Sequence, residues 1–374
     1  MEEIIMNWKN CIFISQLLLI LFSISLYGWD LPLKEIDVKE ISFNYTSSGD
    51  AMTIRLNGTS YITAPEWSNG GQTNNKFAYD RSTAYNGPTV KVIFWCEDWE
   101  STDTQPLTIF GFPCSEPTWS LNEQNVTFSQ QESPPVHFTT SQGVLPNAVS
   151  SFRIDWSWRV SKIDGVQQVP TLYLDGTSHD GFIVLSSPIS PQSEPWVGVL
   201  DKACGWANGT TTASDCISYL TEGLYNSSAH YDPGVTHSSG SGGLNLTGVL
   251  SESDTLHMDC QDFSNYINVL AASLGLSSKY RRITFNNGQS FETYQTLSAG
   301  YDDWGQKGFP LHQISWYNSN VIDASMKLDS DEHPETQPPR EPKLPSGDMS
   351  ELNYKNKFTS FNIAFGNEGD SSIY

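Results

Sequence analysis

Residues 256–275 read Leu-His-Met-Asp-Cys-Gln-Asp-Phe-Ser-Asn-Tyr-Ile-Asn-Val-Leu-Ala-Ala-Ser-Leu-Gly and contain the clearest helical pattern in the chain. The largest apolar side chains recur three or four positions apart, as on one face of a helix: Phe263, Ile267, Leu270 and Leu274. Further apolar residues lie between them, so the helix is expected to be buried. Gly275 stands where a C-terminal cap belongs.

Cys260 lies in the first turn of this predicted helix. Asp259 is the expected N-cap, and Asp262 follows three positions later, the spacing of a capping box. Free backbone N–H groups and the positive end of the helix dipole favour a thiolate, which is the nucleophilic form of cysteine. The two aspartates oppose this effect where they face the sulfur. Activation of the thiol therefore requires a nearby imidazolium.

Residues 311–324 supply an imidazole and a carboxylate. The segment reads as two short strands around an Asn/Ser turn. A turn centred on the middle of the segment places His312 and Asp323 directly opposite each other. A turn centred one residue later leaves them as diagonal neighbours, roughly 7 to 8 Å apart at Cα and within side-chain reach. In either case His312 can exchange a proton with the thiol, while Asp323 orients the ring and stabilises the imidazolium.

The order of these features resembles the transglutaminase-like core of the papain-like cysteine superfamily. The resemblance covers about residues 200–330 and rests on three motifs: Asp259-Cys260 opening a buried helix, His312 leading a strand with an aromatic at Trp316, and Ile322-Asp323-Ala324 on the next strand. It implies an α+β domain whose Cys-bearing helix packs on an antiparallel sheet. It also implies acyl transfer from amides to amines or to water, with Cys260, His312 and Asp323 as the catalytic residues.

The chain from 29 to 199 reads instead as β-structure. Residues 152–160 alternate between apolar and polar side chains, the period of a strand with one buried face. Other candidate strands are separated by Gly, Ser, Asn and Pro clusters, which predicts an antiparallel β-sandwich. We expect Trp156 and Trp158 to pack in its core, the alternative being a sugar-stacking surface.

Four segments are therefore predicted: a signal peptide at 1–28, a β-sandwich-like domain at 29–199, an α+β cysteine domain at 200–330, and an acidic proline-rich segment with a tail at 331–374. Within the third, residues 213–225 form an amphipathic pattern that Thr212 is placed to cap, predicting a helix. The tail regains apolar character, which fits either a docked strand or a mobile end.

The signal prediction comes from an apolar stretch at residues 11–27 followed by small residues. An uncleaved membrane anchor is the alternative. After cleavage we expect no integral membrane segment and a secreted, periplasmic or extracellular protein.

Removal of such a signal would take Cys11 away from the six cysteines of the chain. An odd number in an oxidising compartment leaves one thiol that is either free or paired between chains. The close sequence spacing of Cys96 with Cys114 and of Cys204 with Cys216 makes each pair a candidate disulfide, and Cys260 is the cysteine left over.

The charge balance limits the partners. Lys and Arg total 20 against 42 Asp and Glu, a net charge of −22, so the protein repels phosphate backbones and anionic membranes. Nucleic acid is not an expected partner. No phosphate-binding or dinucleotide-binding glycine motif occurs, and we expect no cofactor.

A loop metal site is a rival interpretation, based on nitrogen and oxygen ligands close in sequence: His230, Asp232, His237, His257 and Asp259. We expect no metal, because these residues lack a helical His-x-x-x-His pair.

The sequence therefore predicts a secreted cysteine enzyme, a peptidase or amidase or an acyltransferase, acting on peptide or protein amides, with a cell-surface polymer as a further candidate partner. The alternative is a secreted, non-catalytic adhesion or binding protein for carbohydrate or protein, with a degenerate transglutaminase-like domain.

Overall fold

The computed structural model describes residues 35–45, 50–71, 73–100, 106–114, 117–140, 143, 145–163, 165–239, 242–252, 255–285, 291–292, 296–301, 305, 308–328, 349–358 and 363–374. Helices and sheets both occur, and the predicted α+β class is confirmed. The predicted signal peptide, Cys11 and most of the proline-rich segment lie outside the described residues. In the described ranges, no helix combines the length and apolar character needed to cross a membrane.

The first half of the chain is built mainly from strands. They are, in chain order, β1 (Ile36–Ser42), β2 (Trp67–Ser68), β3 (Thr73–Asn74), β4 (Phe77–Asp80), β5 (Thr89–Cys96), β6 (Leu107–Pro113), β7 (Gln124–Val126), β8 (Val136–Thr139), β9 (Ser150–Ile163) and β10 (Val166–Val184). A short helix, α1 (Arg81–Asn86), begins where the Asp80 carboxylate accepts a hydrogen bond from the Thr83 N–H.

These strands form two five-stranded sheets, in the orders β3-β2-β1-β5-β8 and β4-β10-β9-β6-β7. Apolar residues of both sheets share one hydrophobic core, which includes Val92 and Phe94 from the first and Trp156 and Trp158 from the second. Both tryptophans are almost fully buried, at 1% and 0% exposure, so they pack in the core as expected. The sandwich architecture as a separate domain stays a prediction.

The expectation of purely antiparallel pairing was wrong at one position, because β4 pairs with β10 in parallel. The other neighbours within the two sheets are antiparallel. Hairpin partners must run antiparallel, whereas β4 and β10 are far apart in sequence and their direction is not constrained by a tight turn.

The second half mixes helices and strands. Its helices are α2 (Val197–Trp206), α3 (Ala213–Tyr225), α4 (Leu246–Ser251), α5 (Cys260–Ser273) and α6 (Glu351–Lys355). Its strands are β11 (Ala229–Tyr231), β12 (Ser238–Ser239), β13 (Gly243–Leu244), β14 (Leu256–Met258), β15 (Lys279–Phe285), β16 (Phe291–Glu292), β17 (Thr296–Ser298), β18 (Gly308–Phe309), β19 (Leu311–Tyr317), β20 (Asn320–Ile322), β21 (Met326–Leu328), β22 (Met349–Ser350), β23 (Ile363–Phe365) and β24 (Ser372–Ile373).

The two helices predicted here are confirmed. Helix α3 has the predicted bounds, with the Thr212 hydroxyl accepting from the Asp215 N–H at 3.2 Å. Helix α5 begins at Cys260, and every residue in it except Gln261 is buried. It is followed by Gly275 at φ +79°, the left-handed conformation that glycine adopts without strain.

Helix α5 packs on an antiparallel five-stranded sheet of order β22-β20-β19-β15-β23. Side chains of β19 fix this packing: Ser315 Oγ donates to the Ser264 carbonyl at 2.8 Å, and Gln313 Nε2 donates to Asn265 Oδ1 at 3.2 Å. A second hydrophobic core surrounds the helix, and several residues from before position 199 also line it: Ile54, Ile62, Ala78, Val149, Phe182, Val184 and Trp196. The domain division at 199/200 stays a prediction.

The C-terminal tail is docked in its described parts, which decides between the two interpretations left open by the sequence. Strands β22 and β23 occupy the two edges of the five-stranded sheet, and β24 pairs with β13. Ser371 Oγ donates to Asn265 Oδ1 at 2.9 Å and accepts from Asn268 Nδ2 at 3.0 Å, so the tail satisfies two buried amides of α5.

Both predicted disulfides were wrong, since no described cysteine is in a disulfide. The Cys204 thiol donates to the Ile183 carbonyl at 3.7 Å, whereas Cys216 Sγ lies 2.9 Å from Thr210 Oγ1. Cys96 ends a strand of one sheet, and Cys114 follows a strand of the other. Closeness in sequence does not provide the short Cβ separation that a disulfide needs.

Candidate active site

The N-terminus of α5 is held by reciprocal capping. Asp259 Oδ1 accepts from the Gln261 and Asp262 N–H groups at 2.8 and 2.9 Å, and Asp262 Oδ2 accepts from the Asp259 N–H at 3.2 Å. Asp262 also accepts from Ser238 Oγ at 2.6 Å. Both aspartate side chains therefore accept hydrogen bonds at the start of the helix. Cys260, at 6% exposure, is the first residue of the helix.

Strands β19 and β20 form a hairpin that positions His312 and Asp323. The paired residues along it are Ser315 with Ile322, Trp316 with Val321, and Tyr317 with Asn320. The two-residue loop is therefore Asn318-Ser319, both with positive φ (47° and 65°), as in the turns whose twist matches a hairpin. This is the later of the two predicted turn positions, and it leaves His312 and Asp323 as diagonal neighbours.

The two side chains are joined in the interior of the protein. His312 Nε2 lies 2.8 Å from Asp323 Oδ2, and the residues are 0% and 2% exposed. Burial alone lowers the pKa of His312, but the charge and hydrogen bond of Asp323, with a smaller contribution from Cys260, raise it to about 10. The imidazole is therefore cationic at neutral pH.

Asp323 is ionised although it is buried. Burial favours its protonated form, but the His312 charge and the hydrogen bonds from His312, Ser325 and Tyr354 lower its pKa below the usual value. Its Oδ1 accepts from the Ser325 N–H and Oγ at 2.9 and 2.6 Å, and its Oδ2 accepts from Tyr354 Oη at 2.6 Å. Four donors thus surround one carboxylate.

Nδ1 is the ring nitrogen of His312 that the contact with Asp323 leaves available. Nδ1 is buried and has no hydrogen-bond partner in the described part of the chain, while Cys260 is near enough to contribute to the raised pKa of His312. The Cys260 thiol therefore lies close enough to the His312 ring to interact with it. Such contacts are often loose before substrate binds.

Aromatic side chains exclude water from the pair. The ring of Phe309 lies 5.0 Å from the His312 ring, and Tyr231 packs against Phe309 at 6.4 Å. Burial, and then electrostatic interactions with Cys260 and Asp323, raise the pKa of Tyr231. Tyr231 therefore lies beside the thiol as a neutral phenol, in surroundings that strengthen electrostatic interactions.

Arg282 links the residues that follow the cysteine and the histidine. Its Nη2 donates to Gln261 Oε1 at 3.0 Å, and its Nε donates to Gln313 Oε1 at 3.3 Å. Gln261 and Gln313 directly follow Cys260 and His312 in sequence. The guanidinium therefore fixes the start of α5 relative to β19.

Sequence reasoning missed Tyr354, Ser325, Tyr231 and Arg282. Ser325 could have been found, because a hydroxyl residue two positions after an aspartate commonly closes a local hydrogen-bonded turn. The other three come from distant parts of the chain, and no local signal connects them with Cys260.

The residues of the rival metal interpretation are not assembled into a site. His230 and His257 face each other with ring centroids 5.8 Å apart, and Asp232 Oδ2 lies 3.6 Å from His257 Nδ1. His237 is turned to Glu252 instead, at 3.3 Å. In the described ranges, no three His, Cys, Asp or Glu side chains are grouped so as to hold a metal ion.

Comparison with known proteins gives little more. No protein-family model matches the chain, and no curated protein matches it. Among solved structures, a red sea bream transglutaminase is similar over 67% of this chain and 49% of its own, with 10% identity and a TM-score of 0.32. The chain thus spans about half the length of that protein. A likeness this remote assigns no function, and the roles of Cys260, His312 and Asp323 stay a prediction.

Proposed function

We propose that the protein is a secreted cysteine enzyme that acts on amide bonds of peptides or proteins through Cys260, His312 and Asp323. One observation carries this proposal: the buried contact of 2.8 Å between His312 Nε2 and Asp323 Oδ2, which leaves Nδ1 as the ring nitrogen available to the nearby Cys260 thiol. A buried ion pair is a poor source of stability, because desolvation offsets most of the attraction. Strongly perturbed groups of this kind cluster at functional sites.

The charges favour a reactive thiol. With a pKa of about 10, His312 carries a proton at neutral pH and places a positive charge next to Cys260. The N–H groups at the start of α5 add to this field, and together they favour the thiolate. In the proposed reaction the Cys260 sulfur attacks as the thiolate, with His312 beside it as the imidazolium.

In the proposed reaction, the Cys260 sulfur attacks the carbonyl carbon of the substrate amide. The carbonyl oxygen becomes an oxyanion, for which the Cys260 backbone N–H at the helix start is the natural donor. The C–N bond then breaks, and His312 gives its Nδ1 proton to the leaving amine. A thioester remains on Cys260, while Asp323 stays ionised and keeps the ring in place.

Water or an amine then attacks the thioester carbonyl. His312 takes the proton of the attacking group, the C–S bond breaks, and the product is a carboxylic acid or a new amide. We propose hydrolysis, because water is always present and no amine-binding site stands out among the described residues. This makes the enzyme a peptidase or amidase, with cross-linking as the other outcome of the same thioester.

The proposal also covers export of the protein and the role of residues 29–199. The apolar stretch at 11–27 supports export, and we assign residues 29–199 to a sandwich-like domain that positions the substrate, a cell-surface polymer being one candidate. This domain and the cellular location rest on the sequence pattern.

Site-resolved alkylation of the native full-length chain across pH tests the proposed thiolate. Cys260 should react rapidly well below the ordinary thiol pKa of about 8.5, and His312→Ala should remove this reactivity. Cys204 provides an internal control, because it is 0% exposed and burial raises its pKa. It should react only after denaturation.

A Cys260 thiol that reacts only in denaturant, or reacts equally without His312, would contradict the enzyme and favour the non-catalytic binding protein. A reactive thiol would justify screening peptide and isopeptide substrates by release of the leaving amine.

A further inference from the structure

We infer that Tyr354 is a positioning residue of the active site, brought to Asp323 by the C-terminal segment of the chain. This inference rests on the proposed function of Cys260, His312 and Asp323. It makes residues 349–358, which carry Tyr354, a supporting part of the active site.

The contact is direct and completely enclosed. Tyr354 is 0% exposed, and its Oη donates to Asp323 Oδ2 at 2.6 Å, the same oxygen that lies 2.8 Å from His312 Nε2. The phenol ring is held by Phe358 and Phe365, with centroids 5.2 and 6.3 Å away. The direction of the hydroxyl is thus set by packing on the other side of the ring.

The chemistry of the bond suits a positioning role. Burial and the charge of Asp323 raise the pKa of Tyr354, so the phenol remains a donor throughout the working range. A donor to the ionised carboxylate stabilises it relative to the protonated acid. Since Ser325 holds only Oδ1, Tyr354 is the group that fixes the oxygen facing His312.

The fold explains how a residue 31 positions after Asp323 reaches it. Strand β22 pairs with β20 through Asn320 with Ser350 and Val321 with Met349. The five-residue helix α6 starts immediately after β22, where Ser350 caps it, and Tyr354 is its fourth residue. The pairing of β22 with β20 therefore also brings the Tyr354 hydroxyl to Asp323, which follows β20.

Tyr354→Phe tests the inference because it removes the hydroxyl and keeps the packed ring. At neutral pH we expect Cys260 alkylation and kcat/KM to fall roughly tenfold, as for loss of one hydrogen bond to a charged group. KM should change little. Asp323 should protonate more easily, so the acid limb of both pH profiles should move to higher pH.

Tyr79→Phe is the matched control. Tyr79 is another completely buried tyrosine, and its hydroxyl donates to the Thr89 carbonyl at 3.4 Å in the first half of the chain. This change should leave the pH profile where it is. A merely structural effect of Tyr354→Phe would lower the rate equally at every pH, and that result, or an unchanged rate, overturns the inference.

A spectroscopic measurement separates this inference from the proposed reaction. The 15N resonances of His312 report the ionisation of Asp323 whether or not the thiol reacts. If Cys260 proves unreactive in the parent protein, the proposed function fails. The acid-side transition of His312 in Tyr354→Phe, at higher pH than in the parent, still supports the hydrogen-bond role, and an unchanged transition refutes it.

Discussion

Two buried histidines lie in different regions of the molecule and differ in charge. His179, in the core between the two large sheets, is 2% exposed, and burial lowers its pKa to about 3. His312, in the second half, is 0% exposed, yet its pKa is raised to about 10. The degree of burial is nearly the same, so burial does not explain the difference.

Their hydrogen-bond partners explain it. His179 Nε2 lies 2.9 Å from the neutral hydroxyl of Thr177, and aromatic rings surround the imidazole: Phe43 at 5.2 Å, Trp67 at 5.9 Å and Trp156 at 5.1 Å. His312 contacts the Asp323 carboxylate, which itself has three further donors. The neutral His179 thus packs in the first core, whereas the charged His312 lies beside the Cys260 thiol.

Replacing the Asp323 carboxylate should abolish the difference in pKa between the two histidines. It should also cause the largest loss of activity among the substitutions proposed. In Asp323→Asn, His312 loses its counter-charge, and its pKa should fall well below 10, towards that of His179. By analogy with triad carboxylates in general, kcat/KM should fall on the order of 10³- to 10⁴-fold. Histidine 15N titration and steady-state kinetics on the same variant provide the measurements.

His179→Asn serves as the comparison for this change, since it alters a histidine of equal burial. It should leave Cys260 reactivity intact. A His312 pKa that stays near 10 without the Asp323 charge would show that another group sustains it.

The two histidines should also give stability opposite pH dependences. His179 has a lowered pKa, so its contribution is complete above the unfolded value of about 6.5 and is lost as the pH falls towards 3. His312 has a raised pKa, so its contribution is complete below about 6.5 and is lost as the pH rises through 10. The acid loss and the alkaline loss should each lower the free energy of unfolding by a few kcal/mol.

The free energy of unfolding in urea, measured at pH 4, 7 and 10, reports both the acid and the alkaline loss of stability. His179→Asn should flatten the acid side alone. His312→Gln should remove the alkaline loss of stability and also reduce the part of the acid loss that Asp323 contributes, because His312 lowers the pKa of Asp323. A change in the alkaline loss of stability in His179→Asn would mean that the two regions do not titrate independently.

The sequence indicated the local parts of this comparison better than the distant ones. Periodicity and capping residues predicted α3 and α5 correctly, because those signals act within a few turns of chain. The hairpin carrying His312 and Asp323 was predicted with two registers. The choice between them depends on the left-handed conformation of Asn318 and Ser319, which the sequence permits but does not require.

Tertiary contacts were beyond that reasoning. Tyr354 reaches Asp323 only because β22 adds to the sheet, and the parallel pairing of β4 with β10 likewise spans a long stretch of sequence. The predicted disulfides failed because spacing along the chain says little about side-chain geometry. The odd-cysteine argument for Cys260 fails with them, and its position at the start of α5 beside His312 replaces that argument.

A smaller effect on the His312 region is expected from Arg282. Arg282→Ala removes the link between Gln261 and Gln313 without altering Asp323, so it should loosen the distance from thiol to imidazole. We expect about a tenfold loss of kcat/KM, the scale of one charge-assisted hydrogen bond, with an unchanged His312 titration. A shifted titration would show that Arg282 acts through charge instead.

The smallest effect on the thiol should come from the Thr177 hydroxyl. Trp158 Nε1 donates to Thr177 Oγ1 at 3.0 Å, so the hydroxyl proton is free to point to His179 Nε2, which must then be unprotonated. Thr177→Val keeps the shape but leaves the indole N–H and the ring nitrogen without this partner. The free energy of unfolding should fall by about 1 to 3 kcal/mol, measured in urea at pH 7.

Cys260 alkylation should be unchanged, because the neutral His179 stabilises the first core and does not affect the ionisation of the thiol. Slower alkylation in this variant would link the two regions and remove the distinction drawn between their histidines.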